Sequence, residues 1–359
     1  MDKQLSKRIT MLRFVMACII VIYHVNIGFS TGNILDQQLC RIIDNVNEKF
    51  GVLAMDFFFL VTGFFTFYHL DDENYKEKTI KKIHTLFIPY VLWQIIGVIW
   101  NFYFKGEFDL LDAFGSVFLM CTFPPVGALW YLYAVFLLSL ASKIILKFFK
   151  TKKCGFLVVL LALLLRYFNQ TFENPIAVSI VQRGFIPNII YYLPLYMFGA
   201  FCGHFSNDNL GIEEIKWCFG IVVFAFLLDP VIDGILLKAF DILFVLLLLI
   251  YTPIPSCLQD RKIYHLNFML YACQKFTISG IIGQSIRRFI ERMPVALSIR
   301  IVLVKISILI WTILAAAVLY YIMQKCCPKV LSVMVGGRVH SNRKLKPIDK
   351  KSDEVPTEI

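Results

Sequence analysis

What most constrains this chain is a succession of apolar runs, each about as long as a bilayer is thick. They fall at about 10–29, 50–68, 85–104, 127–148, 154–168, 186–203, 215–231, 235–252, 264–284 and 301–323. A helix rising 1.5 Å per residue needs about 17–25 apolar residues to cross the roughly 30 Å hydrocarbon core. Most of these runs are that long. They are apolar on all sides and do not alternate with polar residues, which excludes a β-barrel. A soluble domain would carry roughly 25% charged residues. This chain carries 17% and is 58% hydrophobic. The expected fold is an all-α, polytopic membrane helix bundle of about ten transmembrane helices.

Orientation follows from the basic residues. With the N-terminus inside, the inner segments hold 24 Lys and Arg, and the outer loops hold 10. The excess places both termini in the cytoplasm. The formal net charge of +11 then reflects this bias and contact with the lipid bilayer, not nucleic acid. One loop disagrees. Residues 285–300 carry Arg287, Arg288, Arg292 and Arg300 on the outer side. Either they meet something anionic or the ninth span is misplaced, and the second is preferred.

The ten cysteines form no paired framework, and most, such as Cys18, Cys121, Cys202, Cys218 and Cys273, sit inside apolar runs as small hydrophobes. Cys326-Cys327 lacks the second pair a zinc site needs, so no metal is expected. The first run is too long for a cleaved signal and has no small-residue cleavage site after it. Pro124-Pro125 breaks the stretch 109–126, which reads as interfacial or re-entrant. The membrane-embedded domain spans 1–327. The basic remainder, 328–359, reads as a disordered cytoplasmic tail.

An ionisable residue inside a span is costly and therefore a functional candidate. Arg13 and His24 are eleven residues apart, close to three turns, so they share a helix face about 16 Å apart along the axis. Arg13 is either a snorkelling anchor or an anion contact. His24 is either an interhelical hydrogen-bonding group or a base. Asp56 lies about 9 Å below the outer end of the second span, at a depth similar to that of His24. Helices joined by a short loop are usually neighbours. A carboxylate beside an imidazole raises its basicity and fixes its tautomer, as a general base for a hydroxyl requires. The same pair also reads as a purely structural bond.

Several segments resemble the acyltransferase-3 family of bacterial membrane O-acyltransferases. Arg13-Phe-Val-Met-Ala-Cys-Ile-Ile-Val-Ile-Tyr-His24 is similar to its R-x10-H opening helix. Asp56-Phe-Phe-Phe-Leu-Val-Thr62-Gly63-Phe64 resembles its D-x-F-F-x-x-S-G-F segment, with Thr for Ser. Lys81-Lys82-Ile-His84-Thr-Leu-Phe-Ile-Pro89-Tyr90 is similar to its basic stretch ending in Pro-Tyr. Leu129-Trp130-Tyr131-Leu132-Tyr133 and Leu195-Tyr196-Met197-Phe198-Gly199-Ala200 resemble its W-[FY]-L-x and F-x-x-G segments. Order and spacing agree over about residues 8–203. Tyr271-Ala-Cys-Gln274 departs, with glutamine where the family often has histidine.

The resemblance implies acyl transfer across the bilayer in a bacterial cytoplasmic membrane. By the resemblance the donor is acyl-CoA, with acetyl as the acyl group, and the acceptor is a hydroxyl of an extracytoplasmic polysaccharide or lipid-linked glycan. In that reading His24 and Asp56 are catalytic. Arg13, Lys81 and Lys82 hold the donor's phosphates. Trp130, Tyr131 and Tyr133 form a stacking surface for the sugar or a tunnel wall, unless they are an interfacial aromatic belt. The rival reading is a transporter or flippase for a glycan precursor. That class shows inverted repeats, and the sequence has none. Walker and H-E-x-x-H sequences are absent.

Overall fold

The computed structural model describes residues 2–25, 34–106, 110–119, 122–171, 186–206, 210–229, 234–259 and 261–337. Every regular element among them is helical. In chain order the α-helices are α1 (Lys3–His24), α2 (Ile34–Phe67), α3 (Tyr75–Lys82), α4 (Ile88–Lys105), α5 (Leu110–Phe118), α6 (Trp130–Leu140), α7 (Ser142–Leu146), α8 (Lys152–Thr171), α9 (Ile186–Phe205), α10 (Ile212–Leu228), α11 (Ile235–Tyr251), α12 (Asn267–Ser279), α13 (Ile281–Glu291), α14 (Leu297–Cys326) and α15 (Pro328–Met334). Among the described residues, three stretches, Asp36–Phe67, Tyr75–Phe104 and Leu297–Cys326, are long and apolar enough to cross a membrane.

Almost throughout the described residues, the ten apolar runs are helical, but two are not single helices. The fourth breaks between α6 and α7 at Ala141. There Ser139 Oγ donates to the Val135 carbonyl and Ser142 Oγ to the Ser139 carbonyl, each at 2.7 Å. The ninth breaks at Gly280 into α12 and the shorter α13.

The centre of the bundle is the contact of α2 with α9. A Cβ on Gly63 would overlap the Tyr196 carbonyl, one on Gly199 the Leu60 carbonyl, and one on Gly203 the Phe64 carbonyl. Gly199 and Gly203 form a small-x-x-x-small pair. Such pairs let two helix backbones touch where lipid supplies no hydrophobic drive. α1 lies against α2 in a similar way, because Gly51 leaves space for the Tyr23 ring.

Residues 124–126, ahead of the short 3-10 turn that leads into α6, are irregular and yet largely enclosed. Backbone polar groups in an apolar interior must find partners. Gln94, fully buried, donates to the Val126 carbonyl (3.2 Å) and accepts from the Val126 N–H (2.7 Å). Lys275 Nζ donates to the Pro125 carbonyl (2.5 Å) and to Asn101 Oδ1 (2.7 Å). The hydroxyls of Tyr90 and Tyr133 reach the last carbonyls of α5, at Val117 (2.8 Å) and Phe118 (3.0 Å).

The expected start of the tail is corrected. Residues 328–337 do not form a free tail. α15 packs on α4, with Leu331 and Val335 buried and Trp93 Nε1 donating to the Met334 carbonyl at 3.1 Å. Gly336, at φ 63°, sits against the Thr85 carbonyl, where a Cβ would collide. Pro89 explains that open carbonyl, since it has no N–H to offer the group four residues before it. The helix widens into a π turn at Ile83–Phe87 just there. Residues 338–359 lie outside the described residues.

Candidate active site

α1 delivers Arg13 to a cavity of about 270 Å³ between α1, α2, α6 and α12. Phe58, Thr62, Phe65, Lys82, Tyr131 and Tyr271 line it from the other sides. The guanidinium carbon stands 5.0 Å over the Phe65 ring. Among the described residues Arg13 makes no hydrogen bond or ion pair, so a half-buried cation faces the cavity with no acidic partner. A snorkelling anchor would instead carry its head out to water.

Lys82 lies on the wall between this cavity and a second one of about 220 Å³, which Lys78 and Lys81 also line. Lys82 Nζ donates to Thr66 Oγ1 (3.2 Å), and Thr66 donates to the Thr62 carbonyl (2.8 Å). The three expected donor contacts, Arg13, Lys81 and Lys82, are thus brought to two adjoining cavities.

Of the three aromatic candidates, only Tyr131 reaches the first cavity. Its hydroxyl donates to the Phe58 carbonyl (2.9 Å) and is also paired with Thr62 Oγ1. Trp130 turns to Phe59 and Tyr192. Tyr133 stacks on Tyr90 with ring centroids 5.1 Å apart. The helical rotation of 100° per residue separates them. They form neither one stacking surface nor an exposed belt, for all three are buried.

His24 ends α1 and is exposed. Its Nδ1 lies 2.9 Å from the Ile20 carbonyl. A carbonyl only accepts, so Nδ1 carries the proton and the Nε2 lone pair is left open. The helix itself therefore sets the tautomer of the neutral imidazole.

The expected pairing of His24 with Asp56 does not form. Tyr23 faces Gly51, which leaves Asp56 five residues, about 7 Å, further along α2. The Asp56 carboxylate instead pairs with Lys238 of α11, and neither side chain is exposed to solvent. Lys238 also lies 3.4 Å from Asp241 and 4.4 Å over the Tyr191 ring. The Arg166 guanidinium carbon stands 4.4 Å from the same ring.

Lys238 and Asp241 are residues that the sequence reading missed. Two opposite charges at i, i+3 inside an apolar run were the available signal. Lys275 was equally visible inside the ninth run.

Comparison with known proteins agrees with the motifs. A search of curated proteins and a search of solved structures each return no match. The acyltransferase-domain family model matches residues 6–210, more than half of the chain. That stretch holds Arg13, His24, the Asp56 and Lys81–Tyr90 segments and the α2–α9 seam, and the chain belongs to the acyltransferase-3 family.

Proposed function

We propose that this protein is a ten-span O-acyltransferase of a bacterial cytoplasmic membrane, with both termini inside. It takes an acyl group, most simply acetyl, from cytoplasmic acyl-CoA and places it on a hydroxyl of an extracytoplasmic polysaccharide or lipid-linked glycan. The observation that carries the reading is the unpartnered Arg13 guanidinium at a cavity that Lys82 also lines. A CoA ester has an anionic phosphate end and a long neutral arm. Arg13, Lys81 and Lys82 hold the phosphates, Arg13 with a bidentate geometry that a lysine cannot match. The arm extends outward along α1, over the 16 Å or so that separate Arg13 from His24.

His24 Nε2 takes the proton of the acceptor hydroxyl as its oxygen attacks the thioester carbonyl. The tetrahedral intermediate then collapses, the carbon–sulfur bond breaks, and the imidazolium returns the proton to the leaving thiolate. The products are the ester and free CoA thiol. Tyr131 forms part of the cavity wall. Asp56, held by Lys238, acts as an anchor between α2 and α11, not as the orienter of His24.

The test is specific activity of purified, monodisperse protein with radiolabelled acetyl-CoA and surface glycan from a deletion strain. His24→Ala should lose about 10²–10⁴-fold at unchanged protein yield. Undiminished activity per folded molecule in His24→Ala would overturn the mechanism and favour the flippase reading.

A further inference from the structure

The arginines after the ninth run have no part in this chemistry, and the structure sorts them. Arg287 is paired with Glu291 at 2.8 Å. Arg300 is bound to the carbonyls of Val295 (2.8 Å) and Glu291 (3.2 Å). Arg288 and Arg292 are exposed and, among the described residues, have no side-chain partner.

Helix α13 has two faces. At 100° per residue, Gly283, Ile286 and Ile290 fall on one side. That side packs with Val25, Val304 and Ile308. Ile281, Ile282, Ser285, Arg288, Phe289 and Arg292 fall within about 120° on the other, and all six are exposed. The open face is apolar at its start, Ile281 and Ile282, and carries its unpaired arginines toward its end, an order that suits a helix crossing one leaflet from the acyl chains to the headgroups.

The depth of each end can be read from neighbours. Just before α13, the Thr277 hydroxyl is 2.8 Å from that of Thr312, midway along the 30-residue α14. The end of α13 adjoins the start of α14, whose first N–H groups, Leu297 and Ser298, are capped by Asp36 at 2.7 and 3.0 Å. From Ile281 to Arg292 is eleven residues, about 16 Å, close to the thickness of one leaflet. At the inner end, Ile281 and Ile282 form part of a strongly apolar groove of about 740 Å³, lined also by Trp93, Trp100, Phe276 and Trp311.

We infer that the exposed face of α13 is a binding site for an anionic glycerophospholipid of the leaflet at the His24 end. Arg288 and Arg292 take its phosphate. One acyl chain runs past Phe289 and Ile281 and ends in the mouth of the tryptophan-lined groove. The positive end and the one-leaflet length select this occupant. A neutral phospholipid lacks the charge, and a polyprenyl chain is longer than the face.

The inference is independent of the acyl-transfer reading and is tested without activity. Three of the five tryptophans line the groove, so a lipid brominated in its acyl chain reports occupancy by quenching. The full chain is reconstituted in phosphatidylcholine containing a graded fraction of brominated phosphatidylglycerol or brominated phosphatidylcholine. Each basic residue near an anionic surface is worth about fivefold in affinity. The wild type should prefer brominated phosphatidylglycerol by on the order of tenfold. Arg288→Gln with Arg292→Gln should abolish the preference and leave quenching by brominated phosphatidylcholine as before, which also shows that the fold is kept. Equal quenching by the two lipids in the wild type would overturn the site. So would a preference that survives the double substitution. Displacement of the brominated phosphatidylglycerol by an equimolar amount of polyprenyl phosphate would overturn the assigned occupant.

Discussion

Lys238 of α11 and Asp56 of α2 form an ion pair closed off from solvent on every side, with a second carboxylate, Asp241, 3.4 Å from the same ammonium group. Taking one partner away leaves an uncompensated charge in an apolar surround, at a cost of about 3–5 kcal/mol. Lys238→Met and Asp56→Leu should each lower the melting temperature of the purified protein in detergent. The double variant should recover much of the loss, because it removes both charges. A double variant as unstable as the sum of the two singles would show that the pair is not the unit holding α2 to α11.

The α2–α9 seam should resist even one methyl group. Gly199→Ala places a Cβ on the Leu60 carbonyl, and Gly63→Ala places one on the Tyr196 carbonyl. Neither obstacle is a flexible side chain, so the helices must part. Folded yield after gel filtration should fall sharply for both. Gly127→Ala is the control, for no atom lies within 4 Å of its Cβ position, and its yield should match wild type.

Arg13 should govern use of the donor. Arg13→Ala should raise KM for acyl-CoA by about 10- to 100-fold, the range of a charged hydrogen bond of about 1.5–3 kcal/mol. Arg13→Lys should restore little if the contact is bidentate. Steady-state kinetics over a range of acyl-CoA decide this. An unchanged KM in Arg13→Ala leaves Arg13 as an anchor.

Gln94 should hold the irregular α5–α6 connection in place. Gln94→Leu leaves the Val126 N–H unpaired, at about 1–3 kcal/mol, while the Val126 carbonyl keeps the Leu129 N–H at 3.0 Å. A cysteine at Phe123, in a variant otherwise free of cysteine, should be labelled faster by a maleimide when Gln94 is leucine. Equal rates would mean that Lys275 alone is enough.

How far the sequence could be read depends on which physical rule governs each part. The all-helical character was legible, because an apolar run of bilayer length has few other stable forms. Arg13 stood out too, because a charge in such a run is rare, and the structure sets it at a cavity. The partner of Asp56 was not. Depth along two helices is counted in residues, but their crossing is fixed by a local fit, here Tyr23 into the space left by Gly51. Lys238 was counted with the outer loop because it lies near the start of its run, whereas packing encloses it completely. The breaks at Ala141 and Gly280 fall inside continuous apolar stretches and leave no trace in hydropathy. Residues 328–337 were grouped with a charged tail. Yet Leu331, Met334 and Val335 are spaced as one buried face, and the charges that follow masked them.

The glycine seam also limits how this protein can open. Helices that meet through side chains can slide, because rotamers offer several interlocking fits. Two backbones in contact have only one, and any tilt between them either collides or opens a gap. α2 and α9 must therefore travel as one piece, carrying Asp56 and Thr62 with them. A cycle in which two halves rock against each other cannot use the α2–α9 seam as its bearing surface. Motion within the bundle is then left to parts held by a few side-chain bonds, such as the backbone at Pro125 and Val126 gripped by Lys275 and Gln94.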